Sequence, residues 1–502
     1  MNRPTTLALV LIAGLALALP DRAAAQYEDI PEAVSSEIVI KTESNFSLDV
    51  LLARLWDVMG EENVEVFRAQ DEIDVYTIRF LTEPTSEQAV DLRAILDGSV
   101  DDGTINWAEP NIFLDSVGGQ TDSLWVSGLG IDRDGYEDQF AKDLLDLQFA
   151  HQVSTGHGVL VGVVDTGIDP DHEVMRNRVA ATGTSLLSSY ATPYDDPSSN
   201  PAAVNALWGH GTFIAGLVAL VAPDATFLPI RVLDSEGLGT TETAAAGIVA
   251  AVNGGCQVIT LAFGTSLQSQ AMNSAIQYAT QSGVIVIAAA GNLGELGCFY
   301  PASNAATIAV AASDHLDQFD PVSNWCESLD VCAPGSMLLV GNAPDPAASI
   351  IGPVPGSLDT SDYKAGRGTS FAVGFTAGIA ALVRAQHPDW PGKGVEPQQI
   401  PGLIEARLED AVSTTEVTLP GRAGTRPRVT AKGAVVLGPT APTPGDINVD
   451  GCVDAADLGL LLAAWQQPLD ATTLTLVDLA GSAAVGPADL GLLLSLWSND
   501  CP

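Results

Sequence analysis

Between residues 136 and 437 the chain alternates short, continuously apolar runs with patterns of helical spacing, and this alternation narrows the choice of folds. Residues 159–164, 258–263 and 284–288 are such runs, and residues 270–281 form one of the helical patterns between them. Strands that are apolar on both faces need helices on both faces, which is the arrangement of a buried parallel sheet. We therefore predict an α/β domain here, with functional groups just beyond the carboxyl ends of its strands.

The charge balance excludes one class of partner. The chain has 62 acidic and 21 basic residues, a net charge of −41, whereas nucleic-acid binding needs clustered Lys and Arg. Its apolar residues, 46% of the total, suffice for a sizeable core, and a length of 502 residues suggests more than one domain. We expect an acidic surface that stays soluble in salt and attracts cations.

The N-terminus has the pattern of a secretory signal peptide. Arg3 precedes an apolar stretch at residues 7–19, and Arg22 is followed by three alanines that end at Ala25. The stretch is shorter than the roughly 20 residues that cross a bilayer, which argues against the alternative of a membrane anchor. We predict that residues 1–25 are removed and that the chain is secreted, to an extracellular, periplasmic or cell-surface location, without a membrane span.

Residues 26–115 are predicted to form a separate α+β unit. Strand and helix patterns follow one another in the order β-α-β-β-α-β, with helices at residues 48–59 and 88–96. This order is typical of a ferredoxin-like sandwich. The next residues, 116–135, are rich in Gly, Ser and Asp and are predicted to be a linker.

Three short motifs in the α/β region carry groups that can act together. Asp165 lies in Val-Val-Asp-Thr-Gly, His210 in Gly-His-Gly-Thr, and Ser370 in Gly-Thr-Ser-Phe-Ala at the head of an apolar helical pattern. Taken singly, each has a structural explanation, and a serine before a helix is usually an N-cap. Together they can supply a nucleophile, the imidazole that removes its proton, and the carboxylate that orients the imidazole.

With their flanking glycines, and in the order Asp, His, Ser, these motifs resemble the subtilisin-like serine proteases over residues 136–437. The resemblance implies a subtilisin-like catalytic domain and a serine endopeptidase whose triad is Asp165, His210 and Ser370. It requires no cofactor for the chemistry.

A fourth motif adds to the resemblance. Asn292, preceded by Gly291 in Ala-Ala-Ala-Gly-Asn, corresponds to the asparagine of the family's oxyanion hole. An amide N–H aimed at the tetrahedral oxyanion contributes a factor of roughly 10²–10³ to turnover. The resemblance therefore implies that the Asn292 amide and the Ser370 backbone N–H stabilise the transition state.

Two further segments resemble the edges between which the family lays an extended substrate. They are Gly237, Leu238 and Gly239, and Ala262, Phe263 and Gly264. Because such pairing uses main-chain hydrogen bonds, the resemblance implies broad sequence tolerance. The family usually has serine where this chain has Ala262.

The chain departs from the family just after the nucleophile. The family commonly continues Ser-Met-Ala-x-Pro-His-Val-Ala-Gly, whereas residues 370–378 read Ser-Phe-Ala-Val-Gly-Phe-Thr-Ala-Gly. Gly374 and Phe375 thus replace a proline and a histidine. We expect this change to alter the packing of the helix and to leave the nucleophile and its base in place.

The resemblance also gives residues 26–115 a role, as the family's inhibitory pro-domain. Residues 107–111, Trp-Ala-Glu-Pro-Asn, are similar to its closing strand. We expect autoproteolytic removal somewhere between about residues 112 and 140. The expected partners are protein or peptide substrates and the enzyme's own pro-domain.

Two other functions fit parts of the sequence. Asp165-Thr-Gly and Asp359-Thr-Ser resemble the paired motifs of pepsin-like aspartic proteases, but the α/β alternation argues against that all-β fold. A non-catalytic secreted protein that binds peptides and docks through its C-terminal module is the alternative from another class.

The C-terminal segment is a Pro-rich linker, residues 438–445, and then a repeat of period 32 at residues 446–502. The first copy spaces oxygen ligands as a calcium loop does, with Gly451 at its turn, and a helix pattern follows. The predicted ligands are Asp446, Asn448, Asp450, Asp454 and Asp457. This loop-helix repeat resembles a dockerin module, which implies a cohesin-like partner. The second copy keeps fewer ligands, so calcium binding there stays open, as does a structural calcium in the catalytic domain.

The six cysteines are expected to form disulfides in an exported protein. Six cysteines allow fifteen connectivities, and the sequence does not choose among them. Cys452 and Cys501 bracket the C-terminal segment, and we favour that pair. No Cys-x-x-Cys motif is present, which argues against a zinc site.

Overall fold

The computed structural model of the chain describes a series of ranges and single residues, and all structural statements below concern these. They are residues 33–42, 45–116, 125–195, 207–356, 362–392, 394–410, 416–420, 424–436, 453, 458–459, 461–462, 465 and 485–495. The predicted signal peptide, residues 1–25, lies outside them.

The N-terminal unit is an antiparallel sheet with two helices. Its elements are β1 (Ala33–Thr42), α1 (Asn45–Met59), β2 (Val64–Gln70), β3 (Val75–Phe80), α2 (Ser86–Asp101) and β4 (Ile105–Ser116). The strand order is β4-β1-β3-β2, and buried side chains from sheet and helices, such as Ile38, Leu55 and Leu92, form one core. The element order is the predicted β-α-β-β-α-β.

Local sequence sets the start of α2. The Thr85 hydroxyl accepts a hydrogen bond from the Gln88 backbone N–H at 3.3 Å, and the Gln88 side chain accepts one from the Thr85 N–H at 2.9 Å. This capping box satisfies N–H groups that have no partner inside the helix. The helix therefore begins at Ser86, two residues before the predicted start.

Beyond Ser116 the strands lie in three further sheets. They are β5 (Trp125–Val126), β6 (Leu160–Asp165), β7 (Thr184–Ser185), β8 (Thr226–Arg231), β9 (Leu238–Thr240), β10 (Val258–Leu261), β11 (Phe263–Gly264), β12 (Ile285–Ala289), β13 (Ile308–Ser313), β14 (Val331–Pro334), β15 (Met337–Val340), β16 (Ala343–Pro353), β17 (Tyr363–Gly366), β18 (Glu416–Thr418) and β19 (Thr425–Pro427), with β9 and β11 added to the N-terminal sheet.

Helices separate these strands. They are α3 (Arg133–Glu137), α4 (Ala141–Leu144), α5 (Leu147–Val153), α6 (His210–Val221), α7 (Thr241–Asn253), α8 (Gln270–Gln281), α9 (Thr369–Ala385), α10 (Ile400–Asp410), α11 (Ala431–Val436) and α12 (Pro487–Ser495).

The central sheet has the order β14-β13-β12-β10-β6-β8-β7, and its neighbouring strands are all parallel. Nearly every residue of these strands is buried, because α6 and α9 pack on one face and α7 and α8 on the other. This confirms the predicted parallel sheet of an α/β domain. β6 lies inside the sheet and ends at Asp165, so this carboxylate is delivered to the carboxyl edge.

One predicted strand is wrong. Residues 258–263 were expected to form a single run, but β10 ends at Leu261 and Phe263 begins β11, which pairs with β4 instead of the central sheet. The chain turns at Ala262, where it passes the carboxyl end of the sheet. Periodicity does not reveal this turn, because every residue from 258 to 264 is buried on both sides of it.

The predicted linker, residues 116–135, is also wrong in its described part. Ser116 belongs to β4, and β5 pairs with β17. The Asp132 side chain accepts a hydrogen bond from Gly135 N at 3.0 Å and caps α3, from which the Tyr136 hydroxyl donates to the Gly216 carbonyl at 2.7 Å. Residues 125–135 therefore belong to the α/β domain, through contacts with residues that are distant in sequence.

The two helices α6 and α9 cross closely, side by side in the same direction. A methyl group added to Gly374 would lie 2.9 Å from the Cβ of Leu217, and one added to Gly378 would lie 2.5 Å from the Cβ of Val221. Ser370, Gly374 and Gly378 recur every four residues, so they share the face of α9 that meets α6. Gly374, the departure from the family pattern, is thus the residue that lets the helices approach, and Phe375 is fully buried beside it.

The described residues of the C-terminal repeat form a small core. Val453 and Val485, and Leu461 and Leu493, are pairs one repeat period apart, and all four are buried in one cluster against which Val153 of α5 also packs. The predicted calcium ligands Asp446, Asn448, Asp450, Asp454 and Asp457 lie outside the described residues, so calcium binding stays a prediction.

The structure pairs Cys298 with Cys326 in a disulfide, a connectivity that the sequence left open, and leaves Cys256 and Cys332 buried as thiols. The favoured pair, Cys452 and Cys501, lies outside the described residues. Within the part of the chain that is described, no helix combines the length and the apolar character needed to cross a membrane.

The helix crossing gives a test of the packing. Gly378→Ala places a methyl group against Val221 and should destabilise the fold by about 1–3 kcal/mol, because overpacking forces the helices apart. The matched control is Gly402→Ala in α10, where nothing lies within 4 Å of the added methyl group. The control should gain up to about 1 kcal/mol from helix propensity. Thermal unfolding measures both, and equal effects of the two substitutions would contradict the packing argument.

Candidate active site

Asp165 is fully buried where the central strand β6 ends. Its Oδ1 accepts a hydrogen bond from the Thr166 backbone N–H at 2.7 Å, and its main-chain carbonyl accepts from Val232 N at 2.9 Å. Asp165 is therefore held by hydrogen bonds to both its side chain and its main chain. Gly167 follows with a φ of 126°, and an added side chain there would lie 2.7 Å from the Pro193 carbonyl, so the turn needs glycine.

His210 is the first residue of α6, and its Nδ1 lies 2.9 Å from both carboxylate oxygens of Asp165. An ionised carboxylate only accepts hydrogen bonds, so Nδ1 donates to Asp165 and Nε2 is the ring nitrogen that can act as a base. Gly211 cannot carry a side chain, because its Cβ would lie 2.1 Å from the Gly167 carbonyl. Gly211 thus allows the start of α6 to contact the chain that follows β6.

Ser370 is the second residue of α9 and is also buried. Its hydroxyl donates a hydrogen bond to the Ala262 carbonyl at 3.1 Å. The next residue, Phe371, packs its ring against His210 with centroids 6.2 Å apart, and against Phe213 with centroids 4.4 Å apart. The starts of α6 and α9 therefore meet beside the turn at Ala262.

Asn292 lies between the end of β12 and the start of α9. Its Oδ1 accepts hydrogen bonds from the Thr369 N–H at 2.8 Å and from the Thr369 hydroxyl at 2.9 Å. Its Nδ2 is turned toward Gly368, where an added Cβ would lie 2.8 Å from that nitrogen. The Gly291 N–H donates to the Thr369 hydroxyl at 3.3 Å. These contacts fix the amide donor next to the residues that lead into Ser370.

The structure brings the two predicted edge segments to either side of β4. β9 pairs with β4 through Leu238↔Asp115 and Gly239↔Leu114, and β11 pairs through Gly264↔Asp115 and Phe263↔Ser116. Gly237 precedes β9 with a φ of 78°. The cleft between the edges therefore contains the last residues of β4, paired by main-chain hydrogen bonds on both sides.

Sequence reasoning missed how the N-terminal unit binds two helices of the α/β domain. The buried Glu109 carboxylate accepts hydrogen bonds from Ser269 Oγ at 2.8 Å, Gln270 N at 2.7 Å and Ala271 N at 3.0 Å, at the start of α8. Burial raises the pKa of Glu109 to about 7, although these donors oppose the rise. The available signal in the sequence was the two-residue spacing of Glu109 and Asn111, which places both polar side chains on the same face of β4.

Asn111 makes the equivalent contact with α7. Its Oδ1 accepts from the Glu242 N–H at 3.1 Å, and its Nδ2 donates to Glu37 at 2.7 Å. Glu242 is buried and forms an ion pair with Arg68 of β2 at 2.9 Å. Burial raises the pKa of Glu242 to about 7, and Arg68 opposes the rise. Two helix N-termini, each with unpaired N–H groups and a positive dipole end, are thus capped from outside the domain.

A match to a family profile decides which family the chain belongs to. The profile of the Subtilase family matches residues 156–424, more than half of the chain and the whole of the region that carries Asp165, His210, Asn292 and Ser370. The chain belongs to the subtilase family. It is a subtilisin-like serine endopeptidase, a hydrolase, and the aspartic-protease alternative is therefore wrong; Asp359 itself lies outside the described residues.

Two curated subtilases illustrate the relationship. Thermitase of Thermoactinomyces vulgaris is 31% identical over 258 residues, which are 49% of this chain and 82% of thermitase. Subtilisin E of Bacillus subtilis (strain 168) is 35% identical over 249 residues, which are 47% of this chain and 58% of that protein. The chain thus spans most of the first relative and little more than half of the second.

A solved structure shares the fold. Fervidolysin from Fervidobacterium pennivorans, a keratinolytic enzyme related to subtilisin, superimposes with a TM-score of 0.58 at 20% identity. The match covers 82% of this subtilase and 62% of fervidolysin. At this identity the likeness concerns the fold alone.

The position of Asn292 predicts a defined loss. Asn292→Ala removes an amide donor beside Ser370 and should lower kcat by roughly 10²–10³-fold with little change in KM, because the donor acts on charge that develops in the transition state. Steady-state kinetics on a peptide substrate measure this. Asn273→Ala, which removes a side-chain hydrogen bond to Asn304, is the matched control and should keep its kcat. A loss confined to KM would contradict the role of Asn292.

Proposed function

We propose that this subtilase is a secreted endopeptidase that hydrolyses peptide bonds through Asp165, His210 and Ser370. The observation that carries the proposal is the Asp165–His210 pair, joined at 2.9 Å where the central strand β6 ends and α6 begins. The same end of the sheet holds Ser370, at the start of α9. A carboxylate, an imidazole and a hydroxyl gathered there match the groups that acyl transfer needs.

The chemistry follows from the roles of these atoms. His210 Nε2 accepts the proton of the Ser370 hydroxyl as Oγ attacks the substrate carbonyl carbon, and a tetrahedral oxyanion forms. Asp165 stabilises the resulting imidazolium through its Nδ1–H hydrogen bond. Nε2 then donates the proton to the leaving amine, the C–N bond breaks, and an acyl-enzyme remains. Water, deprotonated by the same imidazole, releases the acid and restores Ser370.

The oxyanion is stabilised by donors that are already in position. The Asn292 amide and the Ser370 backbone N–H, near the N-terminus of α9, favour negative charge because the helix start leaves its N–H groups unpaired. Asn292 needs no reorganisation, since its Oδ1 is bound by Thr369 on two atoms. Fixed donors of this type act only as charge develops, and so they raise kcat.

The position of β4 supports a pro-domain role for residues 26–115. Leu114, Asp115 and Ser116 lie between β9 and β11 as an added strand, which is how an extended peptide binds an open sheet edge. Leu114 is buried in the same core as Leu233 and Phe263. In the uncleaved chain this segment excludes other substrates from the cleft.

The register of β4 suggests where the chain is cut. Ser116 lies opposite Phe263, one residue away from Ala262, whose carbonyl accepts the hydrogen bond from Ser370. This register makes the first peptide bonds after Ser116 the candidates for attack by Ser370. We expect cleavage between residues 117 and 118, within the interval predicted from the sequence.

Export and the C-terminal module complete the proposal. Three parts of the proposal stay predictions from the sequence: the signal peptide at residues 1–25, the calcium loop and a cohesin-like partner. The signal peptide and the predicted calcium ligands lie outside the described ranges. In the described part of the α/β domain, oxygens of Asp330, Glu405 and Glu409 lie within 4.8 Å of one another. Exposed acidic groups often cluster without an ion, and we assign no calcium to them.

Ser370 is tested by labelling and by processing. Wild type should react with a fluorophosphonate probe and should shorten to a form that begins at residue 118, as read by N-terminal sequencing. Ser370→Ala should do neither, because both reactions need the nucleophile. Labelling that persists in Ser370→Ala would refute the site. If wild type is neither labelled nor shortened and has no proteolytic activity, the alternative of a non-catalytic peptide-binding protein is favoured.

Glu109 predicts a pH dependence of pro-domain release. Its pKa rises from 4.5 to about 7 on burial, so docking takes up a proton. Docking is then strongest below the pKa of the free carboxyl group and weakens as the pH rises toward 7. In wild type, the delay between cleavage and the onset of activity should shorten by roughly tenfold from about pH 5 to about pH 8. Activity is expressed at each pH relative to that of the mature enzyme.

Glu109→Gln has no titratable proton at this position, so its delay should be the same at both pH values. Glu61→Gln, at an exposed position of the same unit, is the matched control and should behave as wild type. The same pH response in Glu109→Gln and in wild type would show that Glu109 does not set it.

A further inference from the structure

Behind the Asp165–His210 pair lies a second pair of charged residues that the triad chemistry does not use. Arg231 and Asp195 are both fully buried, with Arg231 Nη2 3.1 Å from Asp195 Oδ1. Taking two charges out of water is costly unless their hydrogen bonds are satisfied in a fixed geometry. A pair retained at this depth, next to the candidate active site, calls for a physical reason.

Arg231 connects this pair to the strand that carries Asp165. It is the last residue of β8 and lies directly opposite Asp165 in the register of the two parallel strands. Its Nη2 also donates to the Tyr194 carbonyl at 2.7 Å, and its guanidinium lies over the Tyr190 ring at 4.4 Å. Arg231 therefore fixes the chain segment that contains Asp195 against the end of the central sheet.

Asp195 connects the pair to the helix that carries His210. Its Oδ2 accepts a hydrogen bond at 2.9 Å from the hydroxyl of Thr212, two residues after His210 in α6. The same hydroxyl accepts a hydrogen bond from the Asp169 N–H at 2.9 Å. Thr212 is thus bound from two sides, by the chain that follows Asp165 and by Asp195.

A parallel contact supports the first turn of α6 on its other side. The Gly211 N–H, which has no partner within the helix, donates to the Thr166 hydroxyl at 3.0 Å. The Asp195 N–H donates to the Ile168 carbonyl at 3.0 Å. The turn after Asp165 and the first turn of α6 are therefore joined by several hydrogen bonds besides the one between Asp165 and His210.

The charges facing Asp195 are those of Arg231, Asp165 and Asp169. Burial raises the pKa of Asp195 to about 6, while Arg231 and the Thr212 hydroxyl oppose the rise and the two neighbouring carboxylates add to it. Ionised Asp195 can only accept hydrogen bonds, which fixes the direction of the bond from Thr212. The Thr212 hydroxyl must then accept from Asp169 N, and the network has a single arrangement.

We propose that Asp195, held by Arg231, is a positioning residue that acts through Thr212 to orient His210 toward Asp165. The proposal rests on the proposed function, in which His210 is the base. A fully buried ion pair suits this role because, unlike an exposed one, it has one geometry and cannot exchange its partners for water. The network would thus hold the imidazole in place while its charge changes during each turnover.

Thr212 gives the sharpest test, because its hydroxyl can be removed or kept without touching a charge. Thr212→Val replaces the hydroxyl with a methyl group of similar volume, whereas Thr212→Ser keeps the hydroxyl. We expect Thr212→Val to lower kcat by about 10- to 100-fold with KM within about twofold of wild type, since small misplacements of a reacting group cost this much. Thr212→Ser should recover most of the loss. Asp195→Asn should reproduce the Thr212→Val result.

The matched control is Thr307→Val, which also loses buried hydrogen bonds, to the carbonyls of Pro301 and Asn304, at a site outside the triad. It should lower the melting temperature without changing kcat. The proposal is overturned if Thr212→Val has wild-type kcat, or if Thr212→Ser loses as much kcat as Thr212→Val. Poor folding of Asp195→Asn leaves the test intact, because the Thr212 pair decides it.

Fluorophosphonate labelling separates this outcome from failure of the proposed function. If wild type is labelled at Ser370 and Thr212→Val is labelled at the wild-type rate, only the positioning role of Asp195 is refuted. If wild type is not labelled at all, the proposed function fails first.

Discussion

The close crossing of α6 and α9 is the contact on which the candidate site depends. α6 begins at His210, and Ser370 is the second residue of α9. The helices run in the same direction and approach at Gly374 and Gly378, so their starts meet at the same end of the sheet. Because these two glycines have no side chains, the backbone of α9 packs directly against the side chains of Leu217 and Val221 on α6, and this close packing brings Ser370 near His210.

The second organising feature is the use of strand ends. Asp165 is the last residue of β6, Ala262 follows β10, and Asn292 follows β12. Because the strands are parallel, their carboxyl ends lie on one edge, and groups far apart in sequence gather there. The cleft edges β9 and β11 flank the same region, and β4 occupies the cleft between them.

Buried side-chain oxygens recur as hydrogen-bond acceptors where the chain must hold two parts together. Glu109 and Asn111 cap α8 and α7 across the boundary of the N-terminal unit, and Asp195 ties α6 to the end of the sheet. In each case a buried side-chain oxygen accepts hydrogen bonds, and burial makes such bonds strong and their geometry strict. A chain of net charge −41 thus uses a few of its acidic residues inside, as structural acceptors.

The sequence by itself determined the α/β class and the element order of the N-terminal unit, and it indicated the residues of the candidate triad. Apolar periodicity reports burial, and the motifs around Asp165, His210 and Ser370 are local, so both can be recognised in one chain. The tertiary structure alone decided the turn at Ala262, the pairing of β5 with β17, the Cys298–Cys326 disulfide and the network of Arg231, Asp195 and Thr212. These features depend on contacts between residues distant in sequence, and periodicity carries no information about which distant partner a residue will meet.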